Sequence, residues 1–149
     1  MITVGPGDPS DPDAAALLKA SHALMESLFP AETNHFLSID ALCTPDIRFY
    51  VARDEGRIVG TGALAVKDGY GELKSMFVDP EIRGKGAGEA LVTELIVRAE
   101  LERLPMLKLE TGSLLHAAHR LYERAGFTRC GPFGDYEDGE FSVFMEMAL

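Results

Sequence analysis

The residues with the clearest chemical potential are Arg83-Gly84-Lys85-Gly86-Ala87-Gly88, three glycines and two cations within one turn. Before them stands Met76-Phe77-Val78-Asp79-Pro80, an apolar run closed by a proline that cannot donate to a sheet ladder. After them Val92, Leu95, Ile96 and Ala99 recur at i, i+3, i+4 and i+7, the period of an amphipathic helix. A strand, a basic glycine-rich turn and a helix start together make an anion site. The first helical N–H groups have no intrahelical partner, and the helix dipole adds partial positive charge there. Glycine lets a phosphate or pyrophosphate approach the backbone. The P-loop pattern is absent, and a G-x-G-x-x-G reading fails because Glu89 stands in the third glycine's place. Two readings remain: a turn that merely caps a helix, or an anion site of another class.

Arg83, Gly86 and Gly88 form Arg-x-x-Gly-x-Gly, and with the preceding Met76–Pro80 run they resemble the acyl-CoA-binding motif of the GNAT superfamily of N-acetyltransferases. A second signature, Leu121-Tyr122-x-x-x-Gly126-Phe127, resembles the motif that follows this loop in the same family. The resemblance implies acetyl-CoA as co-substrate and no metal. It implies direct transfer to a primary amine of a small molecule or peptide, in a ternary complex. Met76, Phe77 and Val78 would bind the pantetheine arm through their backbone. Arg83, Gly84, Lys85, Gly86, Ala87 and Gly88 would hold the pyrophosphate.

Tyr122 matches the family tyrosine that lies near the thioester sulfur and acts as general acid. A departing thiolate is stabilised by a phenol that donates a proton; the alternative is a tyrosine that only packs and anchors its hydroxyl. Glu72 matches the position where many members carry a base, which an amine needs because it arrives protonated at neutral pH. Its alternative is an outward strand residue paired with Lys74. One departure stands out: Leu115 occupies the place, seven residues before the tyrosine, where members often have Asn. A sensor that binds acyl-CoA without turnover, or an enzyme with a longer acyl chain or a hydroxyl acceptor, are the competing functions.

The elements that would position these groups follow in order. Ile2–Val4 reads as a strand, Asp11-Pro12 as the start of a helix that Pro30 ends. In the ambiguous Ala31–Thr44 segment, Thr33 or Asn34 could cap one short helix and Ser38 another. Period-two runs at Ile47–Ala52 and Arg57–Val66 flank the turn Asp54-Glu55-Gly56 and predict an antiparallel pair. Strands follow at Tyr70–Val78 and Met106–Thr111, joined by the helix that ends near Glu102 in a right-handed crossover. Gly112-Ser113 open another helix that Gly126 closes. Phe127–Cys130 and Glu140–Met147 are the last strands. This order predicts a mixed α/β fold with a mostly antiparallel central sheet and helices on both faces, and it too resembles the GNAT fold.

One domain over residues 1–149 is expected. With 24 acidic against 14 basic residues the formal charge is −10, which disfavours nucleic acid and anionic membranes as partners. Cys43 and Cys130 are too few for a disulfide framework or a metal set, and suit a reducing compartment. The first residues lack the pattern of a secretory leader, and no apolar run approaches membrane-spanning length. A cytoplasmic protein is expected, with a homodimer allowed by the family resemblance. All four histidines are expected to face solvent. The stretch Gly131–Glu140 holds four acidic residues and two aromatics. If it borders the acceptor entrance, as in the GNAT fold, it would favour cationic amines.

Overall fold

Asp11 accepts hydrogen bonds from the backbone N–H of Asp13 and Ala14, and Pro12 takes the first helical position. That cap starts helix α1, Pro12–Leu28, as the sequence predicts. The computed structural model describes residues 1–149. Around α1 the chain runs β1 (Ile2–Pro6), α1, α2 (Ile39–Leu42), β2 (Ile47–Asp54), β3 (Arg57–Val66) and β4 (Gly71–Val78). It continues α3 (Ala87–Leu101), β5 (Met106–Gly112), α4 (His116–Ala125), β6 (Thr128–Cys130) and β7 (Ser142–Ala148). Ser38 caps α2 through its hydroxyl. Thr33 caps nothing: it ends a short 3₁₀ turn and donates its hydroxyl to the Pro30 carbonyl.

The seven strands form one sheet in the order β1-β2-β3-β4-β5-β7-β6. Only β4 and β5 are parallel, joined by the α3 crossover. Glu55 and Gly56 both take positive φ, 50° and 81°, which gives the β2–β3 hairpin the primed turn that matches strand twist. The fold is therefore the mixed, mostly antiparallel sheet with helices on both faces that the sequence predicts.

Alternation divides the core in two. Tyr50, Ala52, Leu64, Leu73, Leu107, Leu109 and Met145 meet Leu91, Val92, Leu95 and Ala99 of α3. Phe49, Val51 and Ala63 turn to the other face and meet Ala14 and Leu18 of α1 and Leu42 of α2. Leu91, Leu95 and Leu18 are fully buried, each contributing about 1.5–3 kcal/mol of apolar burial.

One start differs from the sequence-based reading. Helix α4 begins at His116, not at Gly112-Ser113, and its N-cap Leu115 offers no capping side chain. The Ser113 N–H donates instead to the Phe141 carbonyl, 3.0 Å away, so the chain stays bound to the β7 side for one more residue. The C-terminal end agrees with expectation: Gly126 closes α4 at φ 113°.

Candidate active site

Strand β4 carries one residue too many. Thr61 pairs with Phe77 and Ala63 with Lys74, so two steps on β3 face three on β4. The extra residue is a bulge at Ser75, whose φ of 56° lies in the left-handed region. Buried Thr61 holds it by donating its hydroxyl to the Ser75 carbonyl at 2.7 Å. The bulge moves the strand's phase by one, so that Leu73 and then Met76 and Val78 share the α3 face. It also strengthens local twist, which bends a strand away from its neighbour. Pairing between β4 and β5 accordingly stops after Gly71–Leu73 against Leu107–Leu109. Beyond it the strands part, leaving the β5-facing backbone edge of Lys74–Val78 without a strand partner.

The parted strands open a cleft of about 110 Å³. Lys74, Ser75 and Met76 line it from β4, Glu110 and Gly112 from β5, and Tyr122 from α4. Of the catalytic and acyl-CoA-binding residues expected from sequence, Met76 and Tyr122 meet here, and Leu115, in the place of the family Asn, lines the same cleft. Phe77 is buried on the opposite side of β4 from Met76, and Val78 ends the strand.

The basic loop follows at once. A 3₁₀ turn, Pro80–Ile82, is capped by Asp79, and Gly84 and Gly86 then take φ of 88° and 86°. Gly86 is the N-cap of α3, with open space where a side chain would stand. Arg83 and Lys85 are exposed, Lys85 lying 3.8 Å from Asp54. Gly88 serves clearance instead, since a Cβ there would stand 3.2 Å from Leu121 of α4 and 3.8 Å from Val78. Ala87 is buried beneath the loop. The loop thus presents uncapped helix N–H groups and two cations to solvent, a fit to an anionic pyrophosphate. The free β4 edge fits an extended arm that needs backbone partners.

Tyr122 is 5% exposed, edge-on to Phe127, yet reaches the cleft. Burial, and secondarily the Glu110 charge, hold its phenol well above the ordinary tyrosine range, so it stays protonated.

Glu72 is buried and sits behind the cleft rather than on its lining. Its carboxylate accepts a very short hydrogen bond from the Tyr136 hydroxyl and stands 3.4 Å from Lys74 Nζ. Lys74 in turn donates to Tyr136 Oη at 2.8 Å and to the His35 carbonyl at 2.9 Å. Glu72 therefore does pair with Lys74, but inside the protein and not on an outward face.

Glu110 is the acidic side chain on the cleft wall, and no sequence motif singles it out. Burial raises its pKa above the usual carboxylate value, opposed by a 3.0 Å hydrogen bond from Ser142. One signal does point to it: Lys108 and Glu110 alternate with fully buried Leu107 and Leu109 on a strand between two neighbours. Charges on a central strand are costly unless they have a use.

The Gly131–Glu140 loop meets the site through its aromatics. Phe133 is buried against Phe144, Tyr70 and Tyr136, while Tyr136 also stands edge-on to His35. Asp135, Glu137, Asp138 and Glu140 are exposed, and none lines the cleft. Two histidines depart from the expected solvent-facing positions. His119 is buried, its Nε2 2.8 Å from the Gly112 carbonyl, which ties α4 to the end of β5. His22 stacks on Phe36 at 4.1 Å, and burial lowers its pKa. The apolar stripe that predicts α4 gives no reason to place His119 inward.

The profile of the acetyltransferase (GNAT) family matches residues 17–127. An IAA acetyltransferase of Azospirillum brasilense is 39% identical over 150 residues, 99% of this chain and 98% of that protein. A crystal structure of an acyl-CoA N-acyltransferase from Klebsiella pneumoniae superposes with a TM-score of 0.84 at 33% identity, covering 100% of this chain and 98% of that one. A GNAT family acetyltransferase from Elizabethkingia anophelis, solved with acetyl-CoA bound, has the same fold at a TM-score of 0.70 and 21% identity, covering 99% and 98%. With the bulged strand, the glycine-rich loop and the cleft tyrosine all present, the chain belongs to the acetyltransferase (GNAT) family and is an acetyl-CoA-dependent acyltransferase.

Proposed function

We propose that this protein transfers the acetyl group of acetyl-CoA directly to a primary amine bound in the cleft between β4 and β5. The observation that carries the reading is the meeting of Tyr122 and Glu110 in one cleft beside the free β4 edge. The Arg83–Gly88 loop holds the pyrophosphate through helix N–H groups and the two cations. The backbone of Met76, Phe77 and Val78 takes the pantetheine arm and supplies an N–H toward the thioester oxygen.

Acetyl-CoA supplies the activated acyl carbon. The amine nitrogen bonds to that carbon, the carbon–sulfur bond breaks, one amine proton leaves and the sulfur gains one. Tyr122, held protonated by burial, donates toward the sulfur. Glu110, whose proton affinity is raised, takes the amine proton. Glu72 is the base that the family resemblance favours. Its hydrogen bond from Tyr136 and its ion pair with Lys74 support a positioning role instead. Cys43 is exposed and Cys130 half-buried; neither lines the cleft, which supports transfer without an acyl-enzyme.

A panel of amines with acetyl-CoA, read by thiol release, tests the reading. Release that depends on amine and yields the acetylated amine is expected. Binding of acetyl-CoA with no turnover by any amine would favour a sensor.

A further inference from the structure

Three buried side-chain polar atoms in the protein lack a hydrogen-bond partner: His22 Nε2, Asn34 Nδ2 and Ser75 Oγ. Two of the three, Asn34 Nδ2 and Ser75 Oγ, belong to residues that line the same cleft. Their neighbours bring them together, since Lys74 Nζ donates to the His35 carbonyl at 2.9 Å, and Asn34 and Ser75 flank that bond in sequence. A buried polar atom without a partner in the protein is costly, so such a pair in a polar cleft calls for a partner from outside the chain. Ser75 is held in its left-handed conformation by Thr61, which makes the arrangement a built feature of the bulge.

This side offers an amide N–H, which only donates, and a hydroxyl, which can donate; the Lys74 ammonium beside them gives its N–H groups to His35, Tyr136 and Glu72 and lends the site its charge. Glu72 offsets part of the Lys74 charge from behind. Such a set suits a singly charged, hydrogen-bond-accepting group such as a carboxylate better than a dianionic phosphate. Glu110, the carboxylate of the cleft, stands on β5. The walls between are Met25, Phe29, Leu115 and Phe141. Phe29 lies so close over Gly112 that a Cβ there would fall 2.3 Å from its ring, so this apolar wall is fixed against β5. Beyond Lys74 and Glu110 the wall holds no carboxylate, lysine or arginine to meet a second charge on the guest.

We propose that the acceptor is a free amino acid with an apolar side chain. Asn34 Nδ2 and Ser75 Oγ hold its carboxylate beside Lys74, its amine turns to Glu110, and its side chain lies against Phe29 and Phe141. This rests on reading the cleft as the acceptor side of an acetyl-CoA-dependent N-acetyltransferase. It departs from the cationic preference expected from the Gly131–Glu140 loop, whose acids lie outside the cleft.

The test compares L-phenylalanine and L-leucine with phenethylamine and isopentylamine, their decarboxylated counterparts, and with phenylalaninamide, by steady-state thiol release. The amino acids should exceed the decarboxylated amines in kcat/KM by about 100-fold or more, because a site built for hydrogen bonds rejects a guest that lacks them. Asn34→Leu and Ser75→Ala should each lower the phenylalanine-to-phenethylamine ratio of kcat/KM about tenfold, the scale of one hydrogen bond to a charged group. Using a ratio within each variant removes any general loss of folding or turnover. Equal or better use of the decarboxylated amines or of the amide, or an unchanged ratio in both variants, overturns the proposal. So does failure of both amino acids. If other amines then react, the acetyltransferase reading stands alone. If calorimetry also finds no acetyl-CoA binding, both readings fall together.

Discussion

The proposed acyl-donor region and the proposed acceptor cleft share strand β4, yet they are built on different terms. The donor region is contiguous: Met76 to Gly88 supplies a strand edge, a turn and a helix start, and what it offers a ligand is largely backbone N–H groups. Its exposed side chains are Pro80, Glu81, Arg83 and Lys85, its apolar ones pack inward, and its glycines are there for conformation and clearance. The acceptor cleft collects side chains from α1, the segment after it, β4, β5 and α4, and each must be aimed. A backbone site tolerates side-chain change but no steric intrusion. A side-chain site fails group by group.

Breaking the backbone site should have the largest effect. Gly86→Asp puts a carboxylate beside the pyrophosphate position and a side chain at φ 86°. Acetyl-CoA binding by calorimetry should vanish while the far-ultraviolet dichroism of the fold persists. Undiminished affinity would place the anion site elsewhere.

On the other side, Tyr122→Phe should lower kcat about 10²–10⁴-fold with little change in acetyl-CoA affinity, since a general acid acts in the transition state. A wild-type kcat would reduce Tyr122 to packing.

Glu110→Gln should lower kcat about 10²-fold or more and abolish the acid limb of the pH profile. In the native enzyme kcat/KM should fall as pH drops through the raised Glu110 pKa, because the base must be ionised. Stability moves oppositely. A carboxyl with a raised folded-state pKa contributes stability below its ordinary value, and that contribution is lost as pH rises through the folded value. Glu110→Gln should therefore melt higher than the native protein at neutral pH, with the gain shrinking toward about pH 4. A lower melting temperature at neutral pH would contradict the burial of this charge.

Glu72→Gln separates a positioning group from a base. It should cost roughly tenfold or less in kcat, leave the shape of the pH profile unchanged, and lower the melting temperature. Lys74 would keep two oxygen partners and lose its counter-charge, and breaking a buried ion pair costs about 3–5 kcal/mol. Loss of the acid limb in this variant, with Glu110→Gln retaining it, would return the base to Glu72.

The smallest effect is expected at the loop. Asp135→Asn or Glu137→Gln should change amine KM by less than about twofold at low salt, since both side chains are exposed and exposed charges are strongly screened. A larger, salt-sensitive rise for a cationic amine would show that the loop selects the acceptor.

Whatever is local in this protein is legible in its order of letters. Caps at Asp11 and Ser38, the turn at Asp54–Gly56, the C-terminal glycine of α4 and the whole Arg83–Gly88 loop are chemistry within a few residues of the chain. The proposed acyl-CoA half of the site is drawn from such local chemistry, and the mixed sheet is legible too. The rest depends on packing between distant segments. Nothing in Lys74-Ser75-Met76 announces a bulge; it exists because Thr61, fourteen residues earlier, binds the Ser75 carbonyl. From that one extra residue follow the parting of β4 from β5 and the orphaned Ser75 hydroxyl. His119 faces inward because a carbonyl of β5 awaits it. Glu72 and Glu110 look alike as letters, two acids on neighbouring strands. Packing gave one a tyrosine and a lysine, and gave the other the cleft.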